Sequence, residues 1–367
     1  MDTFAEAELL ETFFSRSFCT IFAFCQSLSQ EPSRFSCDAS AALIVSSKGE
    51  IEIFSNNQRC NQKVVDFPSF EGQGHSIDLL DEQLILLGGK RKFEYNSIHL
   101  PRKGLLGIKF STEASLEGSI HSWHTSHVFG NQLLAIGGKS GSKDKLSNTA
   151  WKSLNLVWQN GSQFSRIASG ACTVRVSRNV YILIGGLEQE MAEIEDLVEM
   201  NTVLRLDVEK EKVEELPQIK MNRAFHSCEV DGENILIAGG VKGSDVVADE
   251  IYNLNNKNSM LLEMSSSLKR HQHALQRLGE TIFALGGKMS NGSAPASVEW
   301  FDWESKRWRQ HDQSLLSEHT STLAVTSFPL AAIDCHAGCS CGRAGHLGKT
   351  RIIGGSEVQV ARHFDQV

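Results

Sequence analysis

Five copies of an apolar run ending in a glycine pair recur along the chain, and such a repeat leaves few folds open. The runs are Leu84 to Leu87 before Gly88-Gly89, Leu133 to Ile136 before Gly137-Gly138, Tyr181 to Ile184 before Gly185-Gly186, Ile235 to Ala238 before Gly239-Gly240, and Ile282 to Leu285 before Gly286-Gly287. Their first glycines lie 49, 48, 54 and 47 residues apart. A unit of about fifty residues with one buried strand cannot enclose a core alone, so neighbouring units must stack. That argues for a propeller or solenoid and against one compact α/β domain.

The repeat extends beyond the glycines. Thirteen residues before each first glycine stand His75, His124, Cys172, His226 and His273. The stretch between is long enough for a strand and a tight hairpin: His273 to Leu278, Gly279-Glu280, then Thr281 to Leu285 reads strand, turn, strand. In the last unit a third strand follows over Ser297 to Asp302, with Trp308 seven residues after Phe301. The glycine pairs suit close approach of neighbouring backbones. One histidine per unit spreads around a ring and does not converge on one ion, and no repeating carboxylate is evident beside them. They are read as hydrogen-bonded structural residues, and no metal or cofactor site is expected.

These features resemble the kelch repeat, which joins a His-containing first strand, an apolar second strand ending in Gly-Gly, and an aromatic followed by Trp about seven residues on. The resemblance covers residues 40–328. It implies an all-β, six-bladed β-propeller of four-stranded antiparallel blades, with irregular tails at both ends. The sixth blade comes from the two ends of that span. Ala41 to Val45 reads as a second strand whose glycine pair has become Ser46-Ser47, followed by an alternating strand, Glu50 to Phe54. His319 to Thr326 reads as a first strand with no partner after it. Pairing of residues 41–60 with 319–328 in one blade would close the ring and remove open sheet edges.

Composition fits a folded body, with 41% hydrophobic and 22% charged residues. The formal charge is 36 − 44 = −8 with no basic stripe, which argues against nucleic acid as the main partner. No stretch is apolar and long enough to span a membrane. Residues 1–39 form an N-terminal tail with a segment, Phe18 to Cys25, as long as a signal-peptide core. Asp2, Glu6, Glu8 and Glu11 make its leading region acidic where a signal is basic. A secretion signal and a tail packed beside the propeller both remain open.

The last 27 residues, Cys341 to Val367, resemble the activation junction of trypsin-like serine protease zymogens. Cys341-Gly342 precedes Arg351, and Ile352-Ile353-Gly354-Gly355 follows it. The resemblance implies cleavage between Arg351 and Ile352, insertion of the new Ile352 amine into a catalytic body, and an interdomain disulfide from Cys341. Residues 329–351 would be a Cys-rich linker or activation peptide, and 352–367 the truncated start of the protease domain. The competing reading, a seventh repeat, has only two apolar residues before its glycines and a spacing of 68 from Gly286. No nucleophile, base and orienting acid can be assigned, so no catalytic residue and no peptidase activity are expected of the chain as it stands. A full-length product could be a trypsin-like endopeptidase.

Nine cysteines, three of them at Cys335, Cys339 and Cys341, suit disulfides in a secreted precursor better than a zinc finger. The expectation is a non-catalytic, extracellular, monomeric recognition propeller that binds a protein or glycan through its loops. The acidic loop Glu188 to Glu199 is one candidate contact surface. The alternative is an intracellular kelch adaptor or scaffold, cytoplasmic and unrelated to proteases.

Overall fold

The computed structural model describes residues 40–46, 49–55, 62–66, 74–80, 83–88, 95–99, 109–113, 120–129, 132–140, 145–146, 150–154, 157–159, 169–189, 197–262, 269–315 and 323–329. The chain divides into Ala39–Cys335 and a second unit of Met1–Asp38 with His336–Val367. That second unit, with the junction at Arg351 and Ile352 and with Cys341, lies outside the described residues.

Every regular element described is a strand, and twenty-four of the strands make six four-stranded antiparallel sheets. Sheet two holds Ser76–Leu80, Gln83–Leu87, Tyr95–His99 and Lys109–Glu113, and sheet three Thr125–Phe129, Gln132–Ile136, Ala150–Leu154 and Val157–Gln159. Sheet four holds Cys172–Ser177, Val180–Ile184, Val203–Asp207 and Lys212–Leu216, and sheet five Ser227–Asp231, Asn234–Ala238, Glu250–Asn253 and Asn258–Leu261. Sheet six holds Ala274–Leu278, Thr281–Leu285, Ser297–Asp302 and Arg307–Ser314. Sheet one joins the two ends: Leu323–Pro329 pairs with Ser40–Ser46, which is followed by Glu50–Ser55 and Gln62–Asp66. The first strand of each sheet adjoins that of the next in cyclic order, and Leu323–Pro329 lies between the first strands of sheets six and two. The result is a propeller-like ring of sheets with the first strands innermost.

The apolar runs become the second strands because both faces of each sheet are covered by its neighbours. Leu134 and Ile136 pack on Tyr181 and Leu183, Ile182 and Ile184 on Ile235 and Ile237, and Leu236 on Ile282. Phe283 and Leu285 pack on Ala42 and Ile44, which seals the ring where its ends meet. The core is thus divided into layers between sheets, which is why these strands read as continuous apolar runs and not as alternating ones.

The glycine pairs are required by close contacts between sheets. At Gly239, with φ +57°, a Cβ would lie 2.0 Å from the Arg270 carbonyl oxygen and 3.1 Å from the His273 ring, both leading into the next sheet. At Gly240 a Cβ would lie 2.7 Å from the Cβ of His226 in its own sheet. Histidine and glycine therefore repeat together because they fill one packing site.

The ladders revise two sequence assignments. In sheet five Ala238 pairs with Ser227, so Gly239 stands across from His226. In sheet four Ile184 pairs with Cys172, which puts Ala171 across from Gly185. A register shift between Arg175 and Ser177 adds one residue to that hairpin, so Ala171, not Cys172, holds the histidine's place. In sheet one Ser46 pairs with Leu323, so Leu323 and not His319 holds it there. The closing strand starts at Leu323, and His319 lies outside the described residues.

Displaced by the bulge, Cys172 meets Cys228 of sheet five in a disulfide between adjacent inner strands. Cross-links of this kind stabilise by about 2–4 kcal/mol. Replacing both cysteines by serine is expected to lower the urea midpoint by a corresponding amount, and reductant should then have no further effect on the described unit. Equal midpoints for the variant and the oxidised parent would refute a stabilising role.

Candidate functional site

The inner strands carry partly exposed polar side chains from several sheets, and these form a belt around the ring axis. Ser126 of sheet three donates to Asp78 of sheet two, and its Oγ lies 2.6 Å from that of Ser76. Ser76 Oγ lies 2.9 Å from Nε2 of His124. Thr173 of sheet four donates to Thr125 over 2.8 Å and is bonded to His127. Ser227 of sheet five donates to the His273 carbonyl. Burial pushes the Asp78 carboxyl up to about 6, with the Ser126 hydrogen bond opposing, and burial also pushes Glu229 up to about 6.

The belt contains serine, histidine and aspartate, but not in a catalytic arrangement. A triad needs the acid on the imidazole nitrogen remote from the nucleophile. Here Asp78 bonds Ser126, and His124 Nδ1 has no hydrogen-bond partner. The network joins sheets. No group of three or more His, Cys, Asp or Glu side chains able to hold a metal occurs among the described residues.

The repeated histidines sit between sheets. His75 Nε2 lies 3.0 Å from the Val45 carbonyl of sheet one, whereas His124 bonds a serine hydroxyl. His226 is held beside the Ile184 carbonyl, the place equivalent to Val45 for His75, while neither ring nitrogen of His273 has a hydrogen-bond partner. Burial is the first cause holding all four below the ordinary histidine range, His75 and His124 at about 4. Carboxylates do repeat near them. Glu52, Glu250 and Glu299 share one ladder position, opposite Ile44, Ile237 and Ala284. Glu250 and Glu299 bind Arg223 and Arg270, which stand three residues before His226 and His273. That shared Arg-x-x-His spacing was the available signal.

A second feature lies at the end of the ring where the glycine pairs sit. The backbone N–H of Trp123 donates to the Gly74 carbonyl over 2.7 Å, Gly170 to Trp123 over 2.9 Å, Phe225 to Gly170 over 2.8 Å, and Gln272 to Phe225 over 2.8 Å. These residues lead into the first strands of sheets two to six and form a hydrogen-bonded collar. All five have positive φ, from 56° to 66°. Glycine adopts that conformation freely at Gly74 and Gly170, but a side chain there costs about 1–2 kcal/mol. Trp123, Phe225 and Gln272 bear the strain. A Cβ on Gly74 would lie 2.6 Å from Trp123 Cδ2, and one on Gly170 would lie 2.9 Å from Phe225 Cε1, so each aromatic ring covers a collar glycine. The two rings meet edge to face with centroids 4.6 Å apart, and both side chains are partly exposed.

Short hairpin arms rise from the same end, immediately after the glycine pairs. They are Lys139–Ser140 with Lys145–Leu146, Leu187–Gln189 with Leu197–Glu199, and Val241–Lys242 with Asp245–Val246. Each is fastened beside the collar: Ser122 pairs with Lys139, Ser169 bridges Leu187, and Ala224 bridges Val241. The acidic loop singled out in the sequence is the second arm, rooted next to Gly170. Its tip, residues 190–196, lies outside the described residues.

No family profile and no curated protein matches the sequence. Solved structures do match. One, described as "Structure of YjhT", is 12% identical, has a TM-score of 0.61, and aligns over 76% of this chain and 95% of that one. At that identity the likeness concerns the fold alone. The described residues have a propeller-like all-β fold, and among them no helix is long and apolar enough to cross a membrane.

Proposed function

We infer that the chain is a kelch-type, six-bladed propeller acting as a non-catalytic binding module, the recognition region of a secreted serine protease precursor. The observation that carries the binding role is the collar. Large side chains are kept at Trp123, Phe225 and Gln272 in a backbone conformation that favours glycine, and such strain is characteristic of functional sites. The kelch reading draws on the shared packing of histidine and glycine pairs and on Trp308. Its indole donates over 2.8 Å to Asp249 of sheet five, and Asp249 accepts the Gly239 N–H over 2.7 Å. An extracellular setting is supported by the disulfide, since such bonds persist in oxidising compartments. The protease relation rests on sequence alone, on Arg351-Ile352-Ile353-Gly354-Gly355 with Cys341.

The test is a survey of the intact chain on peptide and glycan arrays, with peptide hydrolysis followed in parallel. Saturable binding to one ligand class without turnover is expected. Turnover, or no binding to any array, would overturn the module reading. Limited trypsin treatment should expose a new N-terminus at Ile352, and its absence would count against the zymogen relation.

A further inference from the structure

Sheet six also has an arm after its glycine pair, and its tip differs from the others in kind. Lys288–Met289 pairs with Arg270–His271, the two residues before Gln272, so this arm too is fastened beside the collar. Beyond it, Ser290 to Ser293 form a turn in which all four residues are exposed. The Gly292 N–H donates to the Met289 carbonyl over 2.9 Å, and the Met289 N–H to the Ser293 carbonyl over 2.8 Å, which closes the turn. Gly292 has φ +80°, and a Cβ built on it would meet nothing within 4 Å. The tip is a defined turn standing in open space.

Asn291-Gly292-Ser293 is an Asn-x-Ser triplet with no proline in the middle, the acceptor sequence for N-linked oligosaccharide. Residues 139–146, 187–199 and 241–246, the other arms, contain no asparagine. Triplets of this kind also arise by chance, so placement has to decide. Asn291 Oδ1 accepts the Ser293 N–H over 3.0 Å and the Ser293 hydroxyl over 2.7 Å. The amide is thus held by its oxygen, on an exposed turn, with no partner on its nitrogen among the described residues. That nitrogen is the atom to which a sugar is joined. The chain's other triplet, Asn160-Gly161-Ser162, lies outside the described residues. The Cys172–Cys228 disulfide points independently to the oxidising compartments through which secreted proteins pass, and N-linked oligosaccharide is added there.

We propose that Asn291 is an N-glycosylation site, so that the arm of sheet six carries an oligosaccharide at its tip. The proposal rests on the extracellular reading and adds a modification to it. In the transfer, Asn291 Nδ2 forms a bond to the anomeric carbon of the sugar. The bond from that carbon to the pyrophosphate of a polyprenyl-pyrophosphate-linked donor breaks, the pyrophosphate leaves on its lipid, and the amide gives up one proton. The folded chain accommodates the product because Ser290 to Ser293 are all exposed and no packed side chain has to move.

The test is to express the full chain in mammalian cells behind a heterologous secretion signal, recover it from the secretory pathway, and digest it with trypsin. Asn291 falls in the peptide Met289 to Lys306. Peptide-N-glycosidase acting in heavy-oxygen water turns a glycosylated asparagine into labelled aspartate, whereas earlier spontaneous deamidation of the Asn-Gly bond leaves no label. Label at position 291 is expected, and Asn291→Gln and Ser293→Ala should each abolish it. Ser290→Ala, next to the triplet, should leave it in place. Protein that carries the Cys172–Cys228 disulfide but is bare at Asn291 would overturn the proposal and leave the extracellular reading standing, as would sugar on Asn160 alone. The same peptide from protein isolated from its native source completes the test. Native protein confined to the cytosol and bare at Asn291 would overturn the extracellular reading together with the site.

Discussion

Acidification from pH 7 to pH 4 is expected to unfold the propeller, because its four repeated histidines are buried as neutral rings. His75, His124, His226 and His273 are each at most 7% exposed. Burial lowers His75 and His124 from 6.5 to about 4, and holds His226 and His273 well below 6.5. In the unfolded chain these rings take up protons near pH 6.5, so the unfolded state binds more protons below that value. Stability supplied by a depressed pKa is complete above pH 6.5 and is lost as pH falls towards the folded value. At about 1.36 kcal/mol per unit, His75 and His124 each contribute a loss on the order of 3 kcal/mol by pH 4, and His226 and His273 act in the same direction. Asp78 and Glu229 act in the opposite sense. Their raised values favour the protonated folded state, so they return on the order of 5 kcal/mol together over the window from pH 6 to 4, less whatever solvent screens at these partly exposed groups. Four histidines outweigh two carboxyls, and the net loss weighs against a total stability of only about 5–15 kcal/mol for a typical domain. Urea midpoints at pH 7, 6 and 5 measure this directly. A midpoint independent of pH over that range would mean that the rings are hydrated or already charged in the folded state. Asp78→Asn should steepen the fall by removing one opposing group.

The elements that repeat in kind were legible in the sequence, and those that repeat only in place were not. Glycine pairs recur because the neighbouring sheet leaves no room for a Cβ, as the 2.0 Å approach of the Arg270 carbonyl at Gly239 demonstrates, and a histidine fills the space beside them in four of the sheets. The closing strand could be anticipated because Ala41 to Val45 lacked a first strand, and Leu323–Pro329 pairs there. Counting residues failed in sheet four, where the bulge at Arg175 shifted Cys172 out of the histidine's place and hid its pairing with Cys228. The collar was invisible for a related reason. Gly74, Trp123, Gly170, Phe225 and Gln272 share a backbone conformation, not a side chain, so no letter recurs. The Arg223 and Arg270 spacing could have been seen, but their partners Glu250 and Glu299 lie 27 and 29 residues away, across a loop of variable length.

Those two arginine–glutamate pairs set the second large effect: Glu250→Ala is expected to cost about 3–5 kcal/mol. Arg223 and Glu250 are both fully buried and meet at 2.5 Å. Arg223 stands on the crossover from sheet four to sheet five, and its guanidinium also donates to the Gly239 carbonyl over 2.8 Å and the Ala248 carbonyl over 2.7 Å. Glu250 in turn accepts the backbone N–H groups of Lys220 and Met221 and the Ser259 hydroxyl, at 2.9 to 3.0 Å. Its carboxylate therefore fixes the crossover, the third strand and the fourth strand of sheet five at once. Removing it leaves a buried guanidinium uncompensated and strands two backbone donors. Glu299 meets Arg270 at 2.7 Å, with Arg270 also donating to the Gly286 carbonyl over 3.0 Å. An exposed pair, Lys257 with Glu214 at 3.8 Å, is the control, and Glu214→Gln should leave the melting curve unchanged. The double variant Arg223→Met with Glu250→Leu separates charge from shape. If the cost of Glu250→Ala is mainly the stranded cation, the double variant should recover much of it. If the cost lies in the crossover hydrogen bonds from Lys220 and Met221, the double variant should be no better than Glu250→Ala, and the pair would then act as an anchor for the chain path between sheets.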